Sequence, residues 1–363
     1  MRIARIAVWE FHRVFDPPLW NPATVWRERR APLVTVEADG GPTGVGEAWC
    51  RQDEIARSFA ALQAAAAPLI GCPVDDVFLP LPSAAMDWPE AGAVSAIDMA
   101  IWDLRAQAAG VPLARLLAAE ADGAEVYASG GLYGPGKDVH ALAAEMAGYV
   151  AEGFATVKMK VGALPAEGDL ARVDAVLRAT DGAAVIVDGV GSYDADGAAA
   201  MAAMLAERGV RAFQTPLRDS APSALAALAR RCPLPLVLGE AEWDHARLRH
   251  LSESGAAGWL QANASLAGGP SGMSRLSAMA RDCGIPFSPQ CHATAVLQAA
   301  TLHIAAADGT GPAEHHRVHD HLQDLLAPAL RRPSGGRVAI PPLPGLGLSL
   351  PAHRVRPVLA LAG

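Results

Sequence analysis

Phe154-Ala-Thr-Val-Lys-Met-Lys-Val-Gly162 reads as a buried β-strand and sets the pattern for most of the chain. Side chains alternate across a strand, so Val157, Met159 and Val161 face one way while Lys158 and Lys160 share the other face. The run is the second of seven β-rich runs, which begin near Glu125, Phe154, Ala183, Val210, Leu234, Gly258 and Ile285 and alternate with alanine-rich helical stretches. Successive starts lie roughly 22 to 30 residues apart, the length of one strand-helix unit, and seven or eight such units predict a closed parallel barrel. A doubly wound open sheet is disfavoured, because no Gly-x-Gly-x-x-Gly follows any of these runs.

Upstream the texture differs. Residues 1–50 read as antiparallel strands with a turn at Asp39-Gly40-Gly41, and residues 53–120 read as helical, ending in a glycine stop at Gly110. Between the first strands, Phe15 to Trp26 is rich in proline and tryptophan and has no period, which predicts a loop. The expected division is an N-terminal α+β unit 1–122, a parallel α/β barrel 123–330, and a C-terminal segment, 331–363, returning to the N-terminal unit.

Of 363 residues, 51% are hydrophobic and 19% charged, enough apolar material for a core. A net charge of -8 and the lack of a basic run argue against nucleic acid. No apolar stretch reaches transmembrane length and the start lacks a secretion-signal core, so no membrane partner and a cytoplasmic location are expected. Five cysteines without Cys-x-x-Cys spacing predict neither a disulfide framework nor a zinc ribbon.

Only three of the 30 Lys and Arg residues are lysines, and two of them are Lys158 and Lys160. Lysine can give up its proton near neutral pH when desolvated or crowded by another cation, and arginine cannot. Two amines on one buried face would therefore repel and make one of them a general base; a solvated strand edge is the alternative. In a barrel the reacting groups sit where strands end. The runs after the lysines end in Asp188, Gln214, Glu240, Asn263 and His292. The first three are spaced 26 and 26 apart, so their oxygens converge on one side of the mouth, as a hard cation such as Mg²⁺ requires. Each alone could equally be a helix N-cap.

With these residues in view, the chain resembles the enolase superfamily, and within it the mandelate racemase group. The resemblance rests on Gly44-Val45-Gly46-Glu47, Ala100-Ile101-Trp102-Asp103-Leu104, Gly110-Val111-Pro112-Leu113, Lys158-x-Lys160, Gly239-Glu240, Gly268-Gly269, His292 with Leu302-His303, Glu314, and Pro344-Gly345-Leu346-Gly347. It implies an α/β fold, a modified TIM (β/α) barrel of the (β/α)7β kind under an N-terminal α+β capping domain. It also implies chemistry that begins by removing a proton α to a carboxylate, on a small-molecule carboxylate substrate, in a homo-oligomer (dimer or octamer). By the same resemblance Lys160 is the base and Lys158 a contact of the substrate carboxylate. His292 is the acid or base on the opposite face, Glu314 a hydrogen-bonding partner of the substrate, and Asp188, Gln214 and Glu240 the Mg²⁺ ligands.

Three departures shift the expectation. Gln214 stands where the family has a glutamate, which should weaken Mg²⁺ by about a few kcal/mol and could leave the site empty. Val190 replaces a polar asparagine two residues after Asp188. Asn263 replaces the aspartate that backs the histidine, so His292 should be a poorer base; in a serine-protease dyad the same exchange costs roughly 10⁴ in rate. One-base chemistry follows as the expectation: a dehydratase or other lyase on a hydroxy acid or acid sugar. The alternatives are a racemase or epimerase, a metal-independent isomerase or cyclase, and an inactive carboxylate-binding protein. Trp20 and Trp26 are expected to close over the substrate or to pack between subunits. The cluster His315-His316-Arg317-Val318-His319-Asp320-His321 reads as a polar rim loop, with nitrogen ligands for a softer metal as the other reading.

Overall fold

The computed structural model describes residues 1–217 and 221–363. The chain forms β1 (Ile3–Trp20), β2 (Val25–Ala38), β3 (Thr43–Glu47), β4 (Gly123–Ser129), β5 (Thr156–Lys160), β6 (Ala184–Asp188), β7 (Ala212–Gln214), β8 (Leu236–Leu238), β9 (Trp259–Asn263), β10 (Phe287–Gln290), β11 (Ala313–His316), β12 (Arg337–Ala339) and β13 (Arg356–Ala362). An antiparallel sheet, ordered β13-β1-β2-β3, carries the helices Ile55–Ala66 and Trp88–Ala108. The second sheet runs β10-β9-β8-β7-β6-β5-β4-β11 in parallel, with β12 antiparallel on β4. Helices follow the parallel strands on the outer side, and the fold is the barrel with an N-terminal cap.

At the seam between β10 and β11 side chains take over from a backbone ladder. Ser288 Oγ donates to the Pro312 carbonyl at 2.7 Å, and Thr310 Oγ1 accepts from the Phe287 N–H at 3.1 Å. On β11, Gln298 donates to the Glu314 carbonyl at 2.9 Å and accepts from the His316 N–H at 3.1 Å. These bonds satisfy buried backbone groups that would otherwise lack partners, which is costly inside a protein.

The alternation read in β5 is what the structure shows. Val157 and Met159 pack outward into the helix layer, and Lys158 and Lys160 project inward. Tyr127, Ile186, Ala212, Val237 and Trp259 fill the interior below them, so the barrel is plugged and the lysines sit at its mouth.

Phe15 to Trp26 is not the loop expected from its composition. It is the far end of a long hairpin, with Leu19 paired to Trp26 and Trp20 to Val25 after an irregularity in register beyond Val14. Its pairing partners are distant in the local pattern, so periodicity within the segment carries no trace of them.

Gly44 and Gly46 bring β3 against the backbone of helix Trp88–Ala108. That helix begins at a capping box, in which Asp87 accepts from the Glu90 N–H and Glu90 from the Asp87 N–H. Glu47, at the end of β3, is fully buried and crosses to the barrel, accepting from Thr294 Oγ1 at 2.6 Å and the Leu297 N–H at 3.2 Å at the start of helix Ala295–Asp308. No helix among the described residues is long and apolar enough to cross a membrane.

A Cβ added at Gly46 would lie 2.0 Å from the Ala96 carbonyl oxygen, a backbone atom that cannot swing aside. Gly46→Ala should therefore lower unfolding free energy by about 3 kcal/mol or more. Urea denaturation followed by circular dichroism checks this, and an unchanged midpoint would contradict the close packing.

Candidate active site

Lys158 and Lys160 enter the mouth from β5 and meet acids from two other strands and an amide from a third. Lys158 Nζ lies 2.8 Å from Glu314 Oε1, 2.8 Å from Gln214 Oε1 and 3.9 Å from Asp188 Oδ2. Lys160 Nζ lies 2.5 Å from Asp188 Oδ2. Lys158, Asp188, Gln214 and Glu314 are each at most 1% exposed, so this is a buried network rather than a surface charge cluster. Burial works against the Lys158 charge, but Glu314, Asp188 and Glu240 outweigh it and hold its ammonium above the ordinary lysine range. The expected mutual repulsion does not lower Lys158, because carboxylates stand between the two amines.

Gln214 is the pivot of the set. Its Oε1 accepts from Lys158 and its Nε2 donates to Glu240 Oε2. Turning the amide over would set nitrogen against an ammonium and oxygen against a carboxylate, so its orientation follows from its neighbours. Burial, and next the charge of Asp188, push Glu240 up to about 7. Thr215 Oγ1 donates to its other oxygen at 3.1 Å. Asp188 Oδ1 accepts from the Val190 N–H at 2.9 Å. Val190 and Thr215 hold φ values of 49° and 39°, uncommon for β-branched residues, beside two of the three expected ligands.

As a magnesium site this set does not fit. The three side chains do converge, but the Gln214 oxygen is committed to Lys158, its nitrogen occupies the approach to Glu240, and Asp188 is held by Lys160. Mg²⁺ demands several oxygen donors in near-octahedral array.

The histidine side of the mouth departs from expectation twice. Asn263 does not back His292: its Oδ1 accepts from the Ser265 N–H at 2.9 Å and Oγ at 2.7 Å, and its Nδ2 donates to Gln290 Oε1 at 2.5 Å. Both oxygen lone pairs are spent within an Asx turn, a motif that Asn263-x-Ser265 already announces. His292 stands instead among other rings, 4.3 Å from His319, 5.4 Å from His316 and 5.8 Å from Trp26 by centroid.

The cluster from His315 to His321 is likewise no polar rim loop. His315, His316, His319 and His321 are all buried; β11 takes in the first two and ends at His316, and the segment beyond it packs under the hairpin against Phe15 and Trp26. Glu314 and His316 point inward, while His315 points outward and its Nε2–H donates to the Leu330 carbonyl at 3.0 Å. Burial pushes the pKa of His292, His316 and His319 well below the usual imidazole value; Arg29 and Lys160 add to the effect on His292, and neighbouring imidazoles add to it on His316 and His319.

Of the two tryptophans, Trp26 is buried over His292 and His319. Trp20 is tied by two 2.9 Å backbone bonds to Tyr133 and stacks on its ring at 6.5 Å. A cleft of about 600 Å³ opens between the hairpin and the segment around Trp49; Trp26, Arg29 and His292 line it, and neither lysine does. Arg29, on a stretch that reads as an ordinary charged strand, is the site residue that the sequence left unmarked.

Comparisons with known proteins agree with this fold. Residues 8–118 match the family described as Mandelate racemase / muconate lactonizing enzyme, N-terminal domain, and residues 141–354 match Enolase C-terminal domain-like. An arabinonate dehydratase from Saccharolobus solfataricus is 28% identical over 258 residues, 71% of this chain and 69% of that protein. A D-galactarolactone cycloisomerase from Agrobacterium fabrum is 27% identical over 370 residues, 96% of this chain and 97% of that protein. The crystal structure of L-talarate dehydratase from Polaromonas sp. JS666, complexed with Mg and L-glucarate, superposes with a TM-score of 0.85 at 24% identity, covering 100% of this chain and 99% of that one.

The buried imidazoles make stability depend on pH. His303 and His315 are pushed down to about 4 and His321 to about 3, chiefly by burial, and His292, His316 and His319 lie well below the usual value too. A group depressed in the folded state stabilises above its unfolded pKa and loses that contribution as pH falls. Burial raises Asp98 and Asp103 to about 6 and Glu240 to about 7, which gives an opposite slope. Six histidines outnumber these carboxylates, so unfolding free energy should fall by a few kcal/mol per pH unit between about pH 6.5 and 5. Thermal melts across that range check the sign; a melting temperature that rises on acidification would contradict it.

Proposed function

Since this chain belongs to the mandelate racemase / muconate lactonizing enzyme family of the enolase superfamily, we propose that it is a dehydratase that abstracts the proton α to the carboxylate of a hydroxy acid or acid sugar, with Lys160 as the base. The observation that carries the reading is the buried pairing of Lys160 with Asp188 beside the fixed ammonium of Lys158. An α-proton next to a carboxylate is very weakly acidic, so removing it needs a base and a cation close to the developing enediolate. The base acts as the free amine, and Asp188, 2.5 Å from Lys160 Nζ, is the group placed to take up the proton that the amine gives up before it accepts hydrogen from carbon. Lys158, held charged by its acids, supplies the positive charge toward the enediolate. Glu314 keeps one oxygen on Lys158, and its Oε2 is buried without a partner among the described residues, free to accept from a substrate hydroxyl.

Elimination then expels the β-hydroxyl. His292, His316 and His319 are neutral near pH 7 and make poor proton sources, so Lys160 returns the α-proton to the departing oxygen on the same face. His292 orients that oxygen by hydrogen bonding. Arabinonate dehydratase, among the relatives by sequence, supports elimination over racemisation. No step calls on Mg²⁺, in keeping with the committed donors of Gln214 and Asp188.

Incubation with a panel of acid sugars in D₂O should give a 2-keto product carrying solvent deuterium at Cβ, where the enol is protonated, and solvent deuterium at Cα of the recovered substrate. Lys160→Ala should reduce both by about 10³-fold or more, and Lys158→Met should lower kcat more than it raises KM. Chelation by EDTA should leave the rate unchanged. A rate that vanishes with EDTA and returns with Mg²⁺ would refute the metal-free reading, and a Lys160→Ala variant with full exchange would refute the base.

A further inference from the structure

Arg29 leaves β2 and reaches the 600 Å³ cleft, whose size suits a small-molecule site. It is 4% exposed, and it makes no ion pair with any described residue. Its Nη2 donates to the His292 carbonyl at 2.8 Å, and its Nε is buried without a partner among the described residues. The acids nearby are engaged elsewhere. Glu28 is taken by His12 at 2.9 Å and Arg30 at 3.0 Å, and Glu47 is spent on Thr294 and Leu297. Asp53 shares the cleft lining but is exposed at its rim. The adjacent Arg30 shows the usual arrangement, pairing with Glu10 at 3.3 Å as well as with Glu28.

The charge of Glu47 reaches Arg29 only through space, and a buried guanidinium with no carboxylate in ion-pair contact is costly, a cost that a planar carboxylate relieves by bidentate pairing. A second unsatisfied group lies next to it. His319 is fully buried, both of its nitrogens lack partners among the described residues, and its ring packs against His292 and Trp26. Cations thus stand on two sides of His292: the lysine pair in the mouth and Arg29 in the cleft.

We infer that Arg29 anchors a second carboxylate, so that the substrate is a dicarboxylic acid sugar whose reacting end lies at Lys160 and whose distal end lies at Arg29. This rests on the dehydratase reading and narrows it. A monocarboxylic acid of the same length would place a hydroxymethyl group against the guanidinium and leave its charge unmatched. Selectivity arises from that mismatch, because a site built around a charge rejects the analogue that lacks the counter-charge.

The test compares matched pairs, galactarate with galactonate and glucarate with gluconate, by α-deuterium exchange and by keto-acid formation in the full-length protein. Wild type should prefer the diacid of the productive pair by about 100-fold or more in kcat/KM. Arg29→Gln keeps an N–H donor for the His292 carbonyl but loses the charge. It should collapse the diacid-to-monoacid ratio toward one, mainly through KM, while Arg29→Lys retains part of the preference. Melting temperatures of both variants separate misfolding from lost recognition, and isothermal titration with adipate and 6-hydroxyhexanoate, six-carbon acids with no β-hydroxyl to expel, measures the same preference without elimination. A wild-type ratio near one, or an Arg29→Gln variant that slows both acids equally, overturns the inference while leaving the dehydratase reading intact. Exchange with none of the four acids, together with no preference for adipate over 6-hydroxyhexanoate, overturns both.

Discussion

Two ammonium groups buried in a barrel mouth have to be matched by carboxylates, and the active-site architecture follows from how that match is made. At 2.8 Å the attraction between Lys158 and Glu314 is about 6 kcal/mol with an effective dielectric constant of about 20, and removing one partner of such a pair typically costs about 3 to 5 kcal/mol. Asp188 and Glu314 are therefore occupied by lysines before any metal is considered. A third carboxylate at position 214 would restore spare negative charge. Gln214 supplies none, and its amide instead links Lys158 to Glu240 as a neutral spacer. A single neutral side chain thereby turns a set of converging oxygens from a cation cage into a hydrogen-bonded ring.

The fold was legible because its repeat is local. Each strand-helix unit ends at the same rim, so Asp188, Gln214 and Glu240 had to converge, and the alternation within β5 had to place both lysines inside. Glycines 44 and 46 were legible as a motif, and the structure gives the reason: the Ala100 and Ala96 carbonyl oxygens occupy the space where Cβ atoms would be. What stayed hidden depends on partners remote in sequence. The hairpin from Phe15 to Trp26 is ordered by cross-strand pairs and by Tyr133, neither of which leaves a period in the segment. Histidines between 315 and 321 look polar, yet Gln298, helix Ala295–Asp308 and the hairpin bury them. Arg29 sits in a run with Arg27 and Arg30 that reads as solvated, and only its tertiary neighbours show that it is buried without an ion-pair contact among the described residues.

His292, His316 and His319 place their ligating nitrogens within 4.8 Å of one another, the one such group of His, Cys, Asp or Glu side chains among the described residues. Spacing alone would make them a metal centre. The hydrogen bonds decide otherwise: His316 Nδ1 accepts from the Val318 N–H at 3.2 Å and the His319 N–H at 3.0 Å, so its proton sits on Nε2, the nitrogen left to face the other rings. Ligation would have to displace that proton or break two buried backbone bonds. Ligating histidines normally show the reverse pattern, with the far nitrogen donating to an acceptor. The surrounding field points the same way, since Arg29, Lys160 and Lys158 all act on His292. A pocket bordered by three cations and lined by neutral imidazole N–H groups repels a metal ion and attracts an anion. The same physics that leaves the magnesium ligands engaged with lysines thus leaves the histidine side open to substrate carboxylate and hydroxyl oxygens.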